Sequence, residues 1–152
     1  YYYWKERCTM KETITLLNHI YQMCELILTK LEPILKEVED REFEVEITRE
    51  KTAFEEIKYL ADGLLASLKE KEKVPGKMHK FSSYLSTKLS TLTNNDPKHI
   101  SKLMLEGEKE YQKDIKEKIH ACKNADTAII DLARRLDHTL EENLHMLERW
   151  AE

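Results

Sequence analysis

The chain has 152 residues, enough for one domain with its own core, and 41% of them are hydrophobic. Charged residues make up 36%, whereas glycine and proline number three each, which is typical of long helices with solvated faces. Acids and bases are interleaved and leave a net charge of -4, so no strong field favours a nucleic-acid partner. Composition therefore predicts an all-α protein that does not bind nucleic acid.

Cysteine usage and the lack of targeting signals bear on location. Cys8, Cys24 and Cys122 form no C-x-x-C pair, which is typical of reduced thiols. The sequence shows no signal peptide and no apolar run of about 18 residues. We therefore expect a cytoplasmic protein. Because the chain begins with Tyr1 rather than Met, we interpret residues 1–152 as a single domain of a larger protein.

A first helix is predicted to begin at Thr9, where Thr9-Met10-Lys11-Glu12 has the sequence of a capping box. Apolar residues then recur at spacings of three and four on two faces, so this helix should lie at the centre of a bundle. Pro33 predicts a kink or a new start, because proline cannot donate to the helical hydrogen-bond ladder.

A second helix is predicted from residue 33 to about residue 71. Its apolar stripe thins out in the middle, where Phe43, Val45 and Ile47 alternate as they would in a β-strand. A lone strand has no partner for its backbone, so we interpret this stretch as weakly buried helix, with a local break as the alternative.

Pro75-Gly76 is the strongest turn signal in the chain and predicts a helical hairpin. A third helix should follow from about residue 78 to residue 92. The next start is sharper, because Asp96 suits the N-cap position and Pro97 suits the first helical position.

The last predicted helix carries a stripe from Ile100 to Leu147 that only Asp126 interrupts. If residues 123–126 do not break it, this helix has about 55 residues and is about 80 Å long. The sequence therefore predicts an elongated antiparallel bundle of about four helices, coiled-coil-like, with one very long C-terminal helix.

Glu-x-x-His occurs twice, at Glu117/His120 and Glu142/His145. In di-iron bundles this motif places two metal ligands on one face of a helix. Counting about 100° per residue from the apolar stripe, however, turns both pairs away from the core, and about 40 Å of helix separates the two histidines. The first two helices also show no inward glutamate on a stripe. We therefore expect no metal and no cofactor.

The remaining histidines do not indicate a catalytic site. They have no cysteine or carboxylate partner at ligand or triad spacing. The sequence also contains no Gly-rich nucleophile elbow and no phosphate-binding loop. We therefore expect that the protein is not an enzyme.

The long stripe of the last helix is the main functional signal. This stripe is longer than the predicted third helix can cover. The uncovered part leaves apolar surface for a protein partner or a second copy of the chain. We expect a non-catalytic interaction or scaffolding module that self-associates as a dimer. The candidate partner-binding residues are Leu136, Leu140, Leu144, Leu147 and Trp150.

In periodicity and shape class alone, the chain resembles the elongated bundles of BAR-type and spectrin-type modules. Crescent-shaped BAR modules usually dimerise and carry basic residues along their concave face. The last helix here instead mixes both signs of charge along its length. The resemblance therefore implies a scaffold more than a membrane-bending module.

The alternative is a peripheral, BAR-like helical module that binds an acidic membrane surface. Lysines gather around the predicted hairpin with only Glu70 and Glu72 among them, and such a positive excess attracts anionic lipid. The candidate residues for this surface are Lys69, Lys71, Lys73, Lys77 and Lys80.

Overall fold

The computed structural model describes residues 2–68 and 96–152, with side chains from residue 6 onward. Four helices occupy these two ranges, and neither range contains a β-strand. They are α1 (Tyr2–Glu37), α2 (Arg41–Ser67), α3 (Pro97–Ala121) and α4 (Thr127–Ala151). The prediction of an all-helical protein is confirmed. The predicted hairpin and the predicted third helix lie outside the described residues.

Helix α1 is longer at both ends than the sequence indicated. It begins at Tyr2, so Thr9 lies inside it, and it continues through Pro33 to Glu37. Proline removes one backbone donor, but Leu31 and Ile34 on either side are buried at 2% and 3% exposure. We attribute the continuity of the helix to this burial, which offsets the lost hydrogen bond.

The first chain reversal lies at Asp40, close to the stretch for which the sequence predicted weakly buried helix with a local break as the alternative. The Asp40 carboxylate accepts a hydrogen bond from the Phe43 backbone N–H at 3.0 Å and so caps α2. Glu42 and Glu44 in the first turn are favourable near the positive end of the helix dipole. The strand-like stretch that follows is helical, as predicted, with Phe43 and Ile47 buried.

The last predicted helix is instead two helices of 25 residues each. Helix α3 starts as predicted, with Asp96 accepting from the Lys98 N–H at 3.2 Å. After Cys122 the chain turns, and Asp126 caps α4 by accepting from the Ala128 N–H at 3.2 Å. The backbone N–H of Asp126 donates to the Thr13 hydroxyl at 2.8 Å, which ties the turn to α1.

Contacts near the helix ends give the direction of each helix. Thr13, near the start of α1, meets Asp126 at the start of α4. Phe43, near the start of α2, packs edge-on against Trp150 at the end of α4, with ring centroids 5.0 Å apart. The short turns make α1 antiparallel to α2 and α3 antiparallel to α4. The helices therefore run up, down, down and up, and α2 ends at the opposite end of the bundle from the start of α3.

All four helices contribute buried apolar side chains to one core. Fully buried examples include Leu17 and Ile20 of α1, Ile57 of α2, Ile115 of α3 and Leu136 of α4. None of the helices in the two described ranges combines the length and apolar character needed to span a bilayer.

Candidate functional site

The predicted partner-binding residues of α4 lie in the core of their own chain. The turn after Cys122 folds the second half of the long stripe back onto the first half. Leu136, Leu140 and Leu147 are fully buried, Leu144 is 6% exposed, and Trp150 packs against Phe43. The four leucines reach a partner only if the bundle opens, whereas Trp150 is half-buried. The turn after Cys122 also removes the surplus of apolar stripe from which a dimer was predicted.

The lysines proposed for an anionic surface, Lys69, Lys71, Lys73, Lys77 and Lys80, lie outside the described residues.

The two Glu-x-x-His pairs are exposed, as the angular count predicts. His145 lies 3.5 Å from Glu141, and Glu142 lies 2.7 Å from His138, so these groups pair along α4. Among the described residues, no group of three or more histidine, cysteine or acidic side chains is arranged to hold a metal ion.

The structure reveals a cluster of polar side chains at the centre of the bundle that the sequence analysis missed. Glu50 of α2, Glu108 of α3 and Asn143 of α4 are 6%, 4% and 5% exposed. Each occupies a core position of its helix. Glu50 lies between the buried residues Ile47 and Phe54, at the three- and four-residue spacings that share a helix face. The statement that the first two helices lack an inward glutamate is therefore wrong for Glu50.

Asn143 joins the two carboxyl groups. Its Nδ2 donates to Oε1 of Glu108 at 2.7 Å and also to Oε1 of Glu50. The two carboxyl groups therefore lie close together, each within hydrogen-bonding distance of the same amide nitrogen. The carbonyl oxygen of Asn143 is buried and accepts no hydrogen bond from the described part of the chain. Residues from three helices thus meet at one level of the core.

Burial is the main influence on the acidity of this pair. It raises the pKa of Glu50 well above its usual range, and the charge of Glu108 and the hydrogen bond to it raise it further. Burial raises the pKa of Glu108 to about 7, while hydrogen bonds from Glu50 and Asn143 and the charge of Lys30 oppose the rise. Burial thus favours the protonated state of the pair, and the upward shift in pKa belongs to both carboxyl groups together.

Lys30 and Tyr111 extend the cluster toward α1. The Lys30 ammonium donates to the Tyr111 hydroxyl and lies 4.9 Å from the centre of its ring. Burial lowers the pKa of Lys30 to about 8, although Glu108 opposes the shift. A cavity of about 30 Å³ adjoins Lys30, Glu108 and Tyr111. That volume is sufficient for a water molecule but not for a substrate.

Two other reactive side chains are held away from solvent. Cys24 is fully buried, and this burial raises the pKa of its thiol to about 12, although Lys58 opposes the shift. A protonated, buried thiol is a poor nucleophile. His19 is 8% exposed, and its Nε2 lies 3.0 Å from Asp114 of α3. This contact joins α1 to α3.

A second feature is an open apolar groove of about 620 Å³ at the end of the bundle where α1 and α4 begin and α2 ends. We call it the end groove. Its apolar walls are Met10, Leu64, Leu68 and Ile129, and its acidic side chains are Glu6 and Asp126.

The face of α2 next to the end groove is unusually apolar for an exposed surface. Leu64, which lines the groove, is 38% exposed, and Leu60, one turn before it on the same face, is 42% exposed. Met10 of α1 is 50% exposed. Exposed apolar residues that adjoin a groove typically mark an interaction surface.

No protein-family model, curated protein or solved structure matches this chain. The described residues form a bundle of four helices, and the buried cluster and the end groove are its candidate functional features.

Proposed function

We propose that the chain is a non-catalytic helical module that binds a protein partner through the end groove. The observation that carries the proposal is the exposure of Met10, Leu60 and Leu64, whereas most other large apolar side chains among the described residues are buried. Burying such side chains against a partner is favourable by about 25 cal/mol per Å² of apolar surface.

The proposed occupant is an amphipathic helix of a partner protein with basic residues beside its apolar stripe. Helix-in-groove recognition uses apolar anchors at helical spacing, and the groove volume lies within the range of about 300–1,000 Å³ that is usual for binding pockets. The described lining includes Glu6 and Asp126 and no lysine or arginine. A basic segment therefore complements it better than an acidic one.

The titratable groups support a non-catalytic role. The carboxyl groups of Glu50 and Glu108 are only 6% and 4% exposed, and Cys24 is fully buried in the core. Catalysis requires a reactive group within hydrogen-bond reach of a bound substrate. The end groove is lined mainly by apolar, hydroxyl and acidic side chains, which are suited to holding a partner.

The proposal is tested with two labelled model peptides that form amphipathic helices, one of leucine and lysine and one of leucine and glutamate. Fluorescence anisotropy should show tighter binding of the lysine peptide. Leu64→Asp should weaken this binding about tenfold or more, because it places a carboxylate in the apolar wall. Val45→Asp is the matched control, since Val45 is 52% exposed on the same helix but lies outside the groove lining.

Three outcomes would contradict the proposal. The first is no binding of either peptide, and the second is an equal effect of Leu64→Asp and Val45→Asp. The third is a dimer in analytical ultracentrifugation that Leu64→Asp dissociates, because the occupant would then be a second copy of the chain. Equal affinity for both peptides would overturn only the charge argument.

A further inference from the structure

The paired carboxyl groups of Glu50 and Glu108 are the most unusual feature of the core. Two carboxylates in contact inside a protein cannot both be ionised without strong repulsion, because the low dielectric screens their charges poorly. The pair therefore holds one proton between its members. Asn143 supports this state by donating one N–H to each group.

We propose that Glu50 and Glu108 form a proton-binding site that holds the bundle closed when it is occupied and weakens it when the proton leaves. The proton joins α2 to α3, and Asn143 connects both helices to α4. Loss of the proton leaves two negative charges among apolar neighbours such as Phe54 and Ile47, which are fully buried.

The charge balance around the pair favours the singly protonated form. Lys30 of α1 provides one positive charge close to Glu108, which balances one carboxylate but not two. Tyr111 of α3 is neutral, because burial and the charge of Glu108 raise the pKa of its hydroxyl. With one proton bound, the buried groups sum to zero. Without it, one negative charge remains uncompensated in the core.

A groove of about 350 Å³ between α2 and α4 connects the site to solvent, and both Glu50 and Asn143 contribute to its lining. Protons therefore have a route to the pair while the bundle is folded. The charged groups that line this groove are Glu46, Arg49, Glu142, His145 and Arg149. Several of them pair at the surface, since Arg49 lies 3.8 Å from Glu46 and His145 lies 3.5 Å from Glu141.

The direction of the pH effect follows from linkage. Burial raises the pKa of both carboxyl groups in the folded state, so the folded chain binds the proton more tightly than the unfolded chain does. The stabilisation is complete below the unfolded pKa, near 4.5, and is lost progressively as the pH rises toward the raised folded pKa values of the pair, of which that of Glu108 is about 7. Mild alkalinity, rather than acid, should therefore loosen the bundle.

Urea unfolding followed by circular dichroism from pH 5.5 to pH 7.5 tests the proposal. One extra proton in the folded state lowers the ratio of folded to unfolded chain by up to about tenfold per pH unit. Glu50→Gln keeps the shape of the protonated acid and has no proton to lose, so its stability should vary less across this range, and the remaining dependence should come from Glu108. Glu55→Gln is the control, because Glu55 lies on the same helix and is exposed.

An equal pH dependence in the native chain and in Glu50→Gln would overturn the proposal, as would stability that rises with pH in the native chain. If Glu50→Gln does not fold, the proposed proton-binding site is tested instead by carbon-13 NMR of the glutamate carboxyl groups in the native chain. Two resonances that titrate well above the other glutamates support the site. Titration of every glutamate in the usual acidic range overturns it.

Discussion

Replacing Leu140 with alanine distinguishes a leucine in the chain's own core from a leucine that binds a second copy. Leu140 is fully buried by the other helices of the same chain. Large-to-small substitutions at such positions cost about 2–5 kcal/mol, because the removed atoms lose their burial and a cavity remains. We therefore expect Leu140→Ala to lower the free energy of unfolding by about 3 kcal/mol.

Urea unfolding at two protein concentrations about 100-fold apart is the appropriate measurement. If Leu140 formed a dimer interface, this dilution would shift the apparent stability by about 2.7 kcal/mol. If it lies in the core of a single chain, the loss should be the same at both concentrations. Leu60→Ala is the matched control, because Leu60 is 42% exposed, and it should cost less than about 1 kcal/mol. A cost below 1 kcal/mol for Leu140→Ala, or a concentration-dependent midpoint, would refute the reasoning.

Two further predictions concern the α3–α4 turn and the lysines. Thr13→Val removes the acceptor of the Asp126 N–H while keeping the side-chain shape, so it should cost about 1–3 kcal/mol in thermal or urea unfolding. An unchanged stability would show that the turn does not depend on α1. Reversing Lys73, Lys77 and Lys80 to glutamate should leave peptide binding in the end groove intact and change sedimentation with acidic liposomes little. Salt-sensitive liposome binding that this triple substitution abolishes would instead favour the membrane-binding alternative.

The helical class and one helix start were predictable because they depend on local signals. Asp96 and Pro97 combine a cap with a fixed backbone angle, and the predicted start coincides with that of α3. The same kind of cap exists at Asp40 and Asp126, but neither is followed by proline. The apolar periodicity also continues across the turn at Asp126. Helices α3 and α4 each bury an apolar stripe against the other, and the two stripes follow one another in the sequence. Periodicity alone therefore could not separate one long helix from a hairpin.

The buried cluster was harder to predict because its residue types indicate exposure to solvent, whereas their positions in the sequence indicate burial. Glu50, Glu108 and Asn143 each occupy a stripe position by spacing, yet a charged residue at such a position is usually solvated. A test of position alone, without regard to hydrophobicity, would have identified them as inward-facing. That three helices bring them to the same level is a property of the tertiary structure.

This cluster also bears on how the bundle keeps its register. Four apolar stripes of similar spacing pack almost as well after one helix slides by a turn relative to its neighbour. A slide of α2 by one turn, about 5.4 Å, would separate Glu50 from Asn143 and Glu108. Each polar group would then be buried without a partner, at a cost of about 1–3 kcal/mol per group. The cluster thus favours one register, and the same contacts make that register depend on a proton. Glu50→Leu should accordingly weaken both properties, whereas Glu50→Gln should weaken only the dependence on pH.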